Sequence, residues 1–334
     1  MSSSIIFLGT GTDPYVVGKG LRSAGGIIIK VNDNQFHLDP GPGSCGRAKE
    51  IGVNLRATTA ILVSNTNLYK CNDINVVIDA MTYSGFDKKG VLISTKSLIN
   101  GTEKEKPYLT NYHRDCLERF IVLQPGQRVG VNEVEIEALR TSNNPEHSIG
   151  FKFYTPNFTL SYSSTTKYSL QIVEQYKNSG IIIFDMADPG LEDNPGLNRE
   201  DIIRIINKVN PRLVILTGFG NKMLKADPLY EAREIQKGTK VQVIAAQDGF
   251  VVNPVSYSAQ EGQRTFGTFK KEGPIEELTK KNEVCVEKVS FFGKPKDLAK
   301  ELVLENGKPD RIEEQTTITQ ITESKQSGNQ QNNP

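Results

Sequence analysis

The sequence predicts a layered α/β fold, and three observations carry that prediction. Short Ile and Val runs recur along the chain, helical periodicity separates them in the second half, and Gly, Pro and Asn clusters close many of them. Near-continuous apolar runs of this kind suit strands covered on both faces. Residues 5–8 read as a first buried strand, closed by Gly9-Thr10-Gly11. Residues 27–31 and 35–38 are strands joined by Asn32-Asp33-Asn34, the composition of a hairpin turn. Asp39-Pro40-Gly41-Pro42-Gly43 stops the second of these, and a short helix is predicted over 44–51. Strands follow at 61–63, 91–94, 134–139, 151–154 and 159–162, with an apolar helical pattern at 74–81. The rhythm then becomes helix and strand by turns: helices at 168–177, 199–209 and 229–236, strands at 181–185, 213–217 and 241–245.

At 334 residues with 37% hydrophobic content, the chain can bury a sizeable core. Forty Lys plus Arg against 39 Asp plus Glu leave a net charge of +1, which excludes a global basic field and gives no clear nucleic-acid footprint. Cys45, Cys71, Cys116 and Cys285 form no C-x-x-C pair, so neither a disulfide scaffold nor a cysteine zinc site is expected, and a reducing cytoplasm fits best. The apolar run at 5–8 is too short for a signal peptide, and no run of about 20 apolar residues offers a membrane span. Three regions are expected: a main domain over 1–254, a charged extension over 255–304 packed on that domain, and a polar tail over 305–334. The tail carries too little apolar surface to offset the entropy of ordering and is expected to be disordered.

Several ordered blocks carry a family resemblance over residues 5–254. They are Phe7-Leu8-Gly9-Thr10-Gly11-Thr12, the stretch Phe36-His37-Leu38-Asp39-Pro40-Gly41-Pro42-Gly43, and the loop 64–73 with the helix after it. Residues 141–151, Tyr162-Ser163-Ser164-Thr165-Thr166 and Leu216-Thr217-Gly218-Phe219-Gly220 complete the set. In these blocks the chain resembles the metallo-β-lactamase superfamily. The resemblance implies a four-layer αββα sandwich of two mixed sheets with outer helices, and an H-x-H-x-D-H metal motif just after Ser64. Here those six positions read N-T-N-L-Y-K. Carried across the whole resemblance, the metal-ligand positions fall on Asn65, Asn67, Tyr69, Lys70, Asn143, Thr165 and Gly218. None is His, Asp, Glu or Cys, the residue types that supply zinc with a full lone pair. His147, four residues after Asn143, is the other claimant to one ligand position.

The expectation is therefore a pseudoenzyme: the fold without its metal, without a cofactor and without a catalytic residue, kept for a binding, scaffolding or regulatory role. Its expected partner is an active relative of the same fold or a second copy of the chain. An alternative binding role is an anionic small molecule in the old cleft, with Asp39, Asn65, Asn67, Tyr69, Lys70, Asn143, Thr165 and Gly218 as pocket residues and Arg22, His37, His147 and Lys222 as auxiliaries. The resemblance makes Asp39 a support for the metal histidines, and without metal it is expected to hold Asn65 or to neutralise Lys70. His37 alternates with Asp39 and would point with it toward the site, or else serve structure alone. Lys70 is expected to reach an anion, to pair with Asp39 or to swing to solvent, with Lys70→Ala leaving folding nearly intact. Cys71 is read as an inert buried thiol, and Ser164-Thr165-Thr166-Lys167 matches S-x-x-K without its companion motifs. The reading from another class is a hydrolase of the same superfamily, acting on a phosphodiester or other ester through a non-standard, metal-dependent site.

Overall fold

A computed structural model describes residues 3–190, 194 and 196–258, all within one unit, Met1–Gln263. The first sheet holds β1 (Ser4–Phe7), β2 (Ile27–Val31), β3 (Asn34–Leu38), β4 (Thr58–Leu62), β5 (Val91–Ser94) and β6 (Arg119–Val122). The second holds β7 (Arg128–Val131), β8 (Val134–Arg140), β9 (Ile149–Tyr154), β10 (Thr159–Tyr162), β11 (Ile181–Asp185), β12 (Leu213–Thr217) and β13 (Gln242–Ala245). A last strand, β14 (Val251–Val252), returns to the first sheet, giving the orders β14-β1-β2-β3-β4-β5-β6 and β13-β12-β11-β10-β9-β8-β7. Hairpins are antiparallel, as in β2 against β3 with Val31 opposite Asn34, while β3 to β6 and β10 to β13 run parallel. Both sheets are therefore mixed.

Period-two alternation sorts the side chains into layers. Ile27, Ile29 and Val31 of β2 meet Phe151, Phe153 and Ile183 from the other sheet in the central core, while Ile28 faces outward. Helix α1 (Pro14–Gly18) lies in the loop between β1 and β2, and the outer face of the first sheet is covered by α2 (Ser44–Ile51), α3 (Leu68–Cys71), α4 (Ile74–Thr82), α5 (Lys96–Asn100) and α6 (Asn111–Cys116), with Ile74, Val77, Ile78 and Met81 of α4 joining Ile61 and Leu92. The second sheet is covered by α7 (Leu170–Gln175), α8 (Arg199–Val209), α9 (Asn221–Ala226) and α10 (Pro228–Thr239), with Ile202, Ile205, Ile206 and Ile235 packed on Val214 and Leu216. This is the four-layer αββα sandwich that the resemblance implies.

The helix at 44–51 matches its expected bounds because Gly43 and Gly52 take left-handed conformations at its two ends, and the Asp73 carboxylate accepts from the Gly43 and Ser44 N–H groups. The helix predicted over 168–177 is shorter, since Ser169 caps its start by accepting from Ile172 N. Strands β6 and β7 are absent from the expected set; both lie at sheet edges and mix Arg with apolar residues, which blunts the alternation that reveals a strand. The expected extension over 255–304 lies outside the described residues beyond Ser258, and the tail over 305–334 lies wholly outside them.

Candidate functional site

Parallel strands end together, and here the ends of β3, β4, β10, β11 and β12 bring Asp39, Ser64, Ser163 to Thr165, Asp185 and Thr217-Gly218 to one cleft between the sheets. Asp39 leaves β3 at φ 52 and Ser164 leaves β10 at φ 54, left-handed values uncommon outside glycine. Hydrogen bonds fix both residues. The Asp39 carboxylate accepts from Ser64 N (2.6 Å), Ser64 Oγ (2.8 Å) and Tyr162 OH (2.7 Å). Ser164 Oγ donates to Ser64 Oγ (2.9 Å) and accepts from Asn65 Nδ2 (3.1 Å).

Lys70 occupies the middle of this network and is only 5% exposed. Its ammonium donates to Asp185 Oδ2 in a short ion pair, to Tyr162 OH at 3.0 Å and to Thr165 Oγ1 at 3.4 Å, with Asp39 Oδ2 at 3.9 Å. Thr165 Oγ1 also donates to Asp185 Oδ2 (3.1 Å), and Asp185 N donates to Ser163 Oγ (3.0 Å). Burial raises the pKa of Asp39 above the ordinary carboxylate value, opposed first by the Lys70 charge and then by the Ser64 and Tyr162 hydrogen bonds. Tyr162 is pushed well above the usual phenol value by burial and then by the Asp39 and Asp185 charges, so it stays protonated and donates.

The loops around this network approach backbone to backbone. A methyl on Gly41 would overlap the Ala24 and Tyr69 carbonyls, and Asp248 ties the Gly9-Thr10-Gly11 loop by accepting from Thr10 N (2.9 Å), Thr10 Oγ1 (2.8 Å) and Ser23 N (2.7 Å). The close approach of residues 22–25 explains the two glycines without a bound dinucleotide, since a methyl on Gly9 would overlap the Ser23 carbonyl. The remaining cavity, lined by residues 9–12, Tyr69, Lys70 and Gly218 among others, measures about 30 Å³. That admits a water or two, whereas small-molecule pockets run to roughly 300–1,000 Å³.

The expected site residues fall into three groups. Asp39, Tyr69, Lys70, Thr165 and Gly218 do converge on the cleft, joined by Asn65 through Ser164. Asn67 is exposed and caps α3 by accepting from Tyr69 N (2.9 Å), and Asn143 is exposed and donates to the Thr165 carbonyl (3.0 Å). The auxiliaries serve elsewhere. Arg22 lies 6.0 Å from the centre of the Phe219 ring, Lys222 is exposed and pairs with Asp188 at 2.7 Å, and His147 sits in a surface groove with Lys96 and Glu146.

His37, Asp39 and Lys70 take definite places in the structure. His37 does not point with Asp39: its Nε2 meets the Gly25 carbonyl at 3.0 Å on the outer face, because the strand's alternation ends at Leu38 before Asp39 turns into the left-handed region. Burial pushes its pKa down to about 4, so it is neutral near pH 7. Of the two roles expected of Asp39, it faces the Lys70 charge at 3.9 Å, while its carboxylate accepts hydrogen bonds from Ser64 and Tyr162 instead of holding Asn65. Lys70→Ala is expected to cost about 3–5 kcal/mol, more than the nearly intact folding read from sequence, since removing one partner of a buried ion pair leaves the other uncompensated. Cys71 is fully buried with its pKa pushed up to about 12 by burial, in keeping with an inert thiol. Asp185 is the residue that sequence reasoning missed. Its signal was a lone carboxylate ending the run Ile181-Ile182-Ile183-Phe184, and an inward lysine demands such a partner.

The donor set does not fit a divalent metal. The ammonium of Lys70 already takes the two carboxylates, the other groups near it are neutral hydroxyls, and Asn65 and Asn67 spend their amides on the loop and on α3. Gly218 stands at the last ligand position with φ 68, and the first atom of any side chain there would lie 2.6 Å from Asp185 Cγ, inside the carboxylate. Among the described residues no group of three His, Cys, Asp or Glu is placed to hold a metal ion, and no helix is long and apolar enough to cross a membrane.

No protein-family model matches the chain. The uncharacterized protein MJ1374 of Methanocaldococcus jannaschii is 30% identical over 255 residues, which cover 75% of this chain and 95% of that protein. The crystal structure of the metallo-β-lactamase fold protein YhfI from Bacillus subtilis is similar at a TM-score of 0.62 and 17% identity, covering 75% of this chain and 99% of that one. Zn(2+)-bound PqqB from Methylobacterium extorquens is similar at a TM-score of 0.59 and 10% identity, over 75% and 99% of the two chains. At these identities the two structures show a shared fold.

Proposed function

We propose that this chain, which belongs to the metallo-β-lactamase superfamily, is a catalytically inactive member kept for a binding, scaffolding or regulatory role. One observation carries the reading: the Lys70 ammonium lies between Asp39 and Asp185 at the point where the family's ligand positions meet. Hydrolysis in this fold depends on a metal that lowers the pKa of bound water to about 7. An ammonium has no vacant orbital for water and cannot substitute in that step. The two carboxylates that remain are both engaged with Lys70 and Tyr162.

Of the two binding roles, an anion in the cleft is disfavoured, which leaves partnership through the surface. An anion approaching Lys70 meets two carboxylates already facing that charge, and the cavity of about 30 Å³ holds no substrate-sized molecule. The partner to seek first is an active relative of the same fold, or a second copy of the chain. The alternative, a metal-dependent hydrolase with a non-standard site, draws on the nearness of Asp39 and Asp185 and requires both to release Lys70.

Metal content of the protein purified without chelator, measured beside hydrolysis of a chromogenic phosphodiester with and without added zinc or manganese, separates the two. The expected result is metal far below one equivalent and no turnover above the blank. Stoichiometric metal together with chelator-sensitive turnover would establish the hydrolase instead.

A further inference from the structure

We infer that Lys70 is a tethered cation joining the two sheets at the cleft, and that its seat is a receptor for a primary alkylammonium group. A primary ammonium has three N–H donors, and here three oxygens receive them: Asp185 Oδ2, Tyr162 OH and Thr165 Oγ1. Tyr162 and Asp185 end strands β10 and β11 of the second sheet and Thr165 follows β10, while the lysine backbone belongs to α3 of the first half. Asp39, also from the first half, adds a second negative charge at 3.9 Å and is itself bridged to the second sheet through Tyr162. One cation thus draws together groups from strand ends that lie far apart in sequence.

The chemistry of the seat selects the ligand class. Two of the three acceptors are neutral hydroxyl oxygens, poor ligands for zinc and good acceptors from N–H. A planar guanidinium presents its donors in a flat fork, whereas these acceptors surround a single point. A quaternary ammonium carries no N–H at all. The seat therefore prefers R–NH3+ over metal ions, guanidinium and quaternary amines. The buried position of Lys70 adds selectivity by size: cutting the side chain back to alanine removes three carbons and the nitrogen, the outline of n-propylammonium.

This inference concerns the same cleft as the proposed loss of catalysis and rests on that reading of it, but its readout is stability. Metal-dependent turnover decides the former, and the response to an amine decides the latter. The test is thermal unfolding of the full-length wild type and Lys70→Ala in n-propylammonium chloride, tetramethylammonium chloride and sodium chloride at matched ionic strength. Lys70→Ala is expected to melt roughly 10 °C below wild type. Propylammonium is expected to raise that midpoint saturably, while the other two salts do not and wild type does not respond. An unchanged midpoint in Lys70→Ala, or equal shifts by propylammonium and tetramethylammonium, would overturn the inference. Should Lys70→Ala fail to fold in sodium chloride, its refolding from urea is expected to succeed in n-propylammonium chloride and to fail in tetramethylammonium chloride; failure in both, or success in both, would equally overturn the inference.

Discussion

Replacing His37 with Gln is expected to remove about 3 kcal/mol of acid sensitivity from the folded state. His37 is fully buried on β3, its Nε2 pairs with the Gly25 carbonyl, and its Nδ1 finds no hydrogen-bond partner among the described residues. Burial is the largest influence on the ring and pushes its pKa from 6.5 down to about 4, with the Gly25 bond and the Asp73 charge opposing it in part. Between these values the unfolded chain takes up a proton that the folded chain refuses. Stability therefore rises with pH across this window, and as pH falls from 6.5 to about 4 it declines. At about 1.36 kcal/mol per pH unit, the full interval amounts to about 3 kcal/mol.

Urea unfolding of wild type and His37→Gln at a series of pH values from 7.5 to 4 measures this directly. Glutamine keeps an N–H donor near the Nε2 position and cannot titrate. Shared contributions cancel in the difference, including that of Asp39, whose raised pKa acts with the opposite sign in the same range. The difference between the two proteins should change by about 3 kcal/mol from pH 7 to pH 4, in favour of the variant at low pH. A difference constant to within about 0.5 kcal/mol would show that His37 is not a buried neutral residue and would undo its placement on the outer face.

Two further outcomes follow from the cleft and its surroundings. Gly218→Ala should lower the thermal midpoint with a cost of at least about 2 kcal/mol, since its φ of 68 and the nearby Asp185 carboxylate both oppose a side chain; a midpoint equal to wild type in a melting experiment would reopen this position to a ligand. A variant retaining Cys71 as its single cysteine should react with a thiol reagent at pH 8 on the order of a thousandfold more slowly when folded than when unfolded, because its pKa of about 12 leaves little thiolate; similar rates in the two states would contradict its burial.

Much of the scaffold was legible because local chemistry and tertiary demand agree. The strands at 91–94, 181–185 and 213–217 match their expected bounds, since Ile, Leu and Val runs satisfy both strand propensity and two-sided burial. The helix at 199–209 was visible for the same reason, with Asn198 capping its start and Asn210 closing it in a left-handed turn. The edge strands β6 and β7 escaped because an edge needs fewer apolar residues and their Arg residues serve solvent, whereas the edge strand β13 keeps its apolar run. The outward direction of His37 was not legible because a period of two holds only while the backbone stays extended, and it ends one residue before Asp39.

Sequence alone determined which atoms are absent from the cleft: the ligand positions hold amides, a phenol, an ammonium, a hydroxyl and a glycine, and no fold can give those groups the lone pairs of imidazole or thiolate. What replaced them was decided by tertiary structure. Lys70 and Asp185 stand 115 residues apart, and a charge on a loop reads the same whether it meets water or a carboxylate. Only the convergence of parallel strand ends from two sheets excludes the water and forces the pairing, because a buried ammonium is tolerated only where oxygen acceptors surround it.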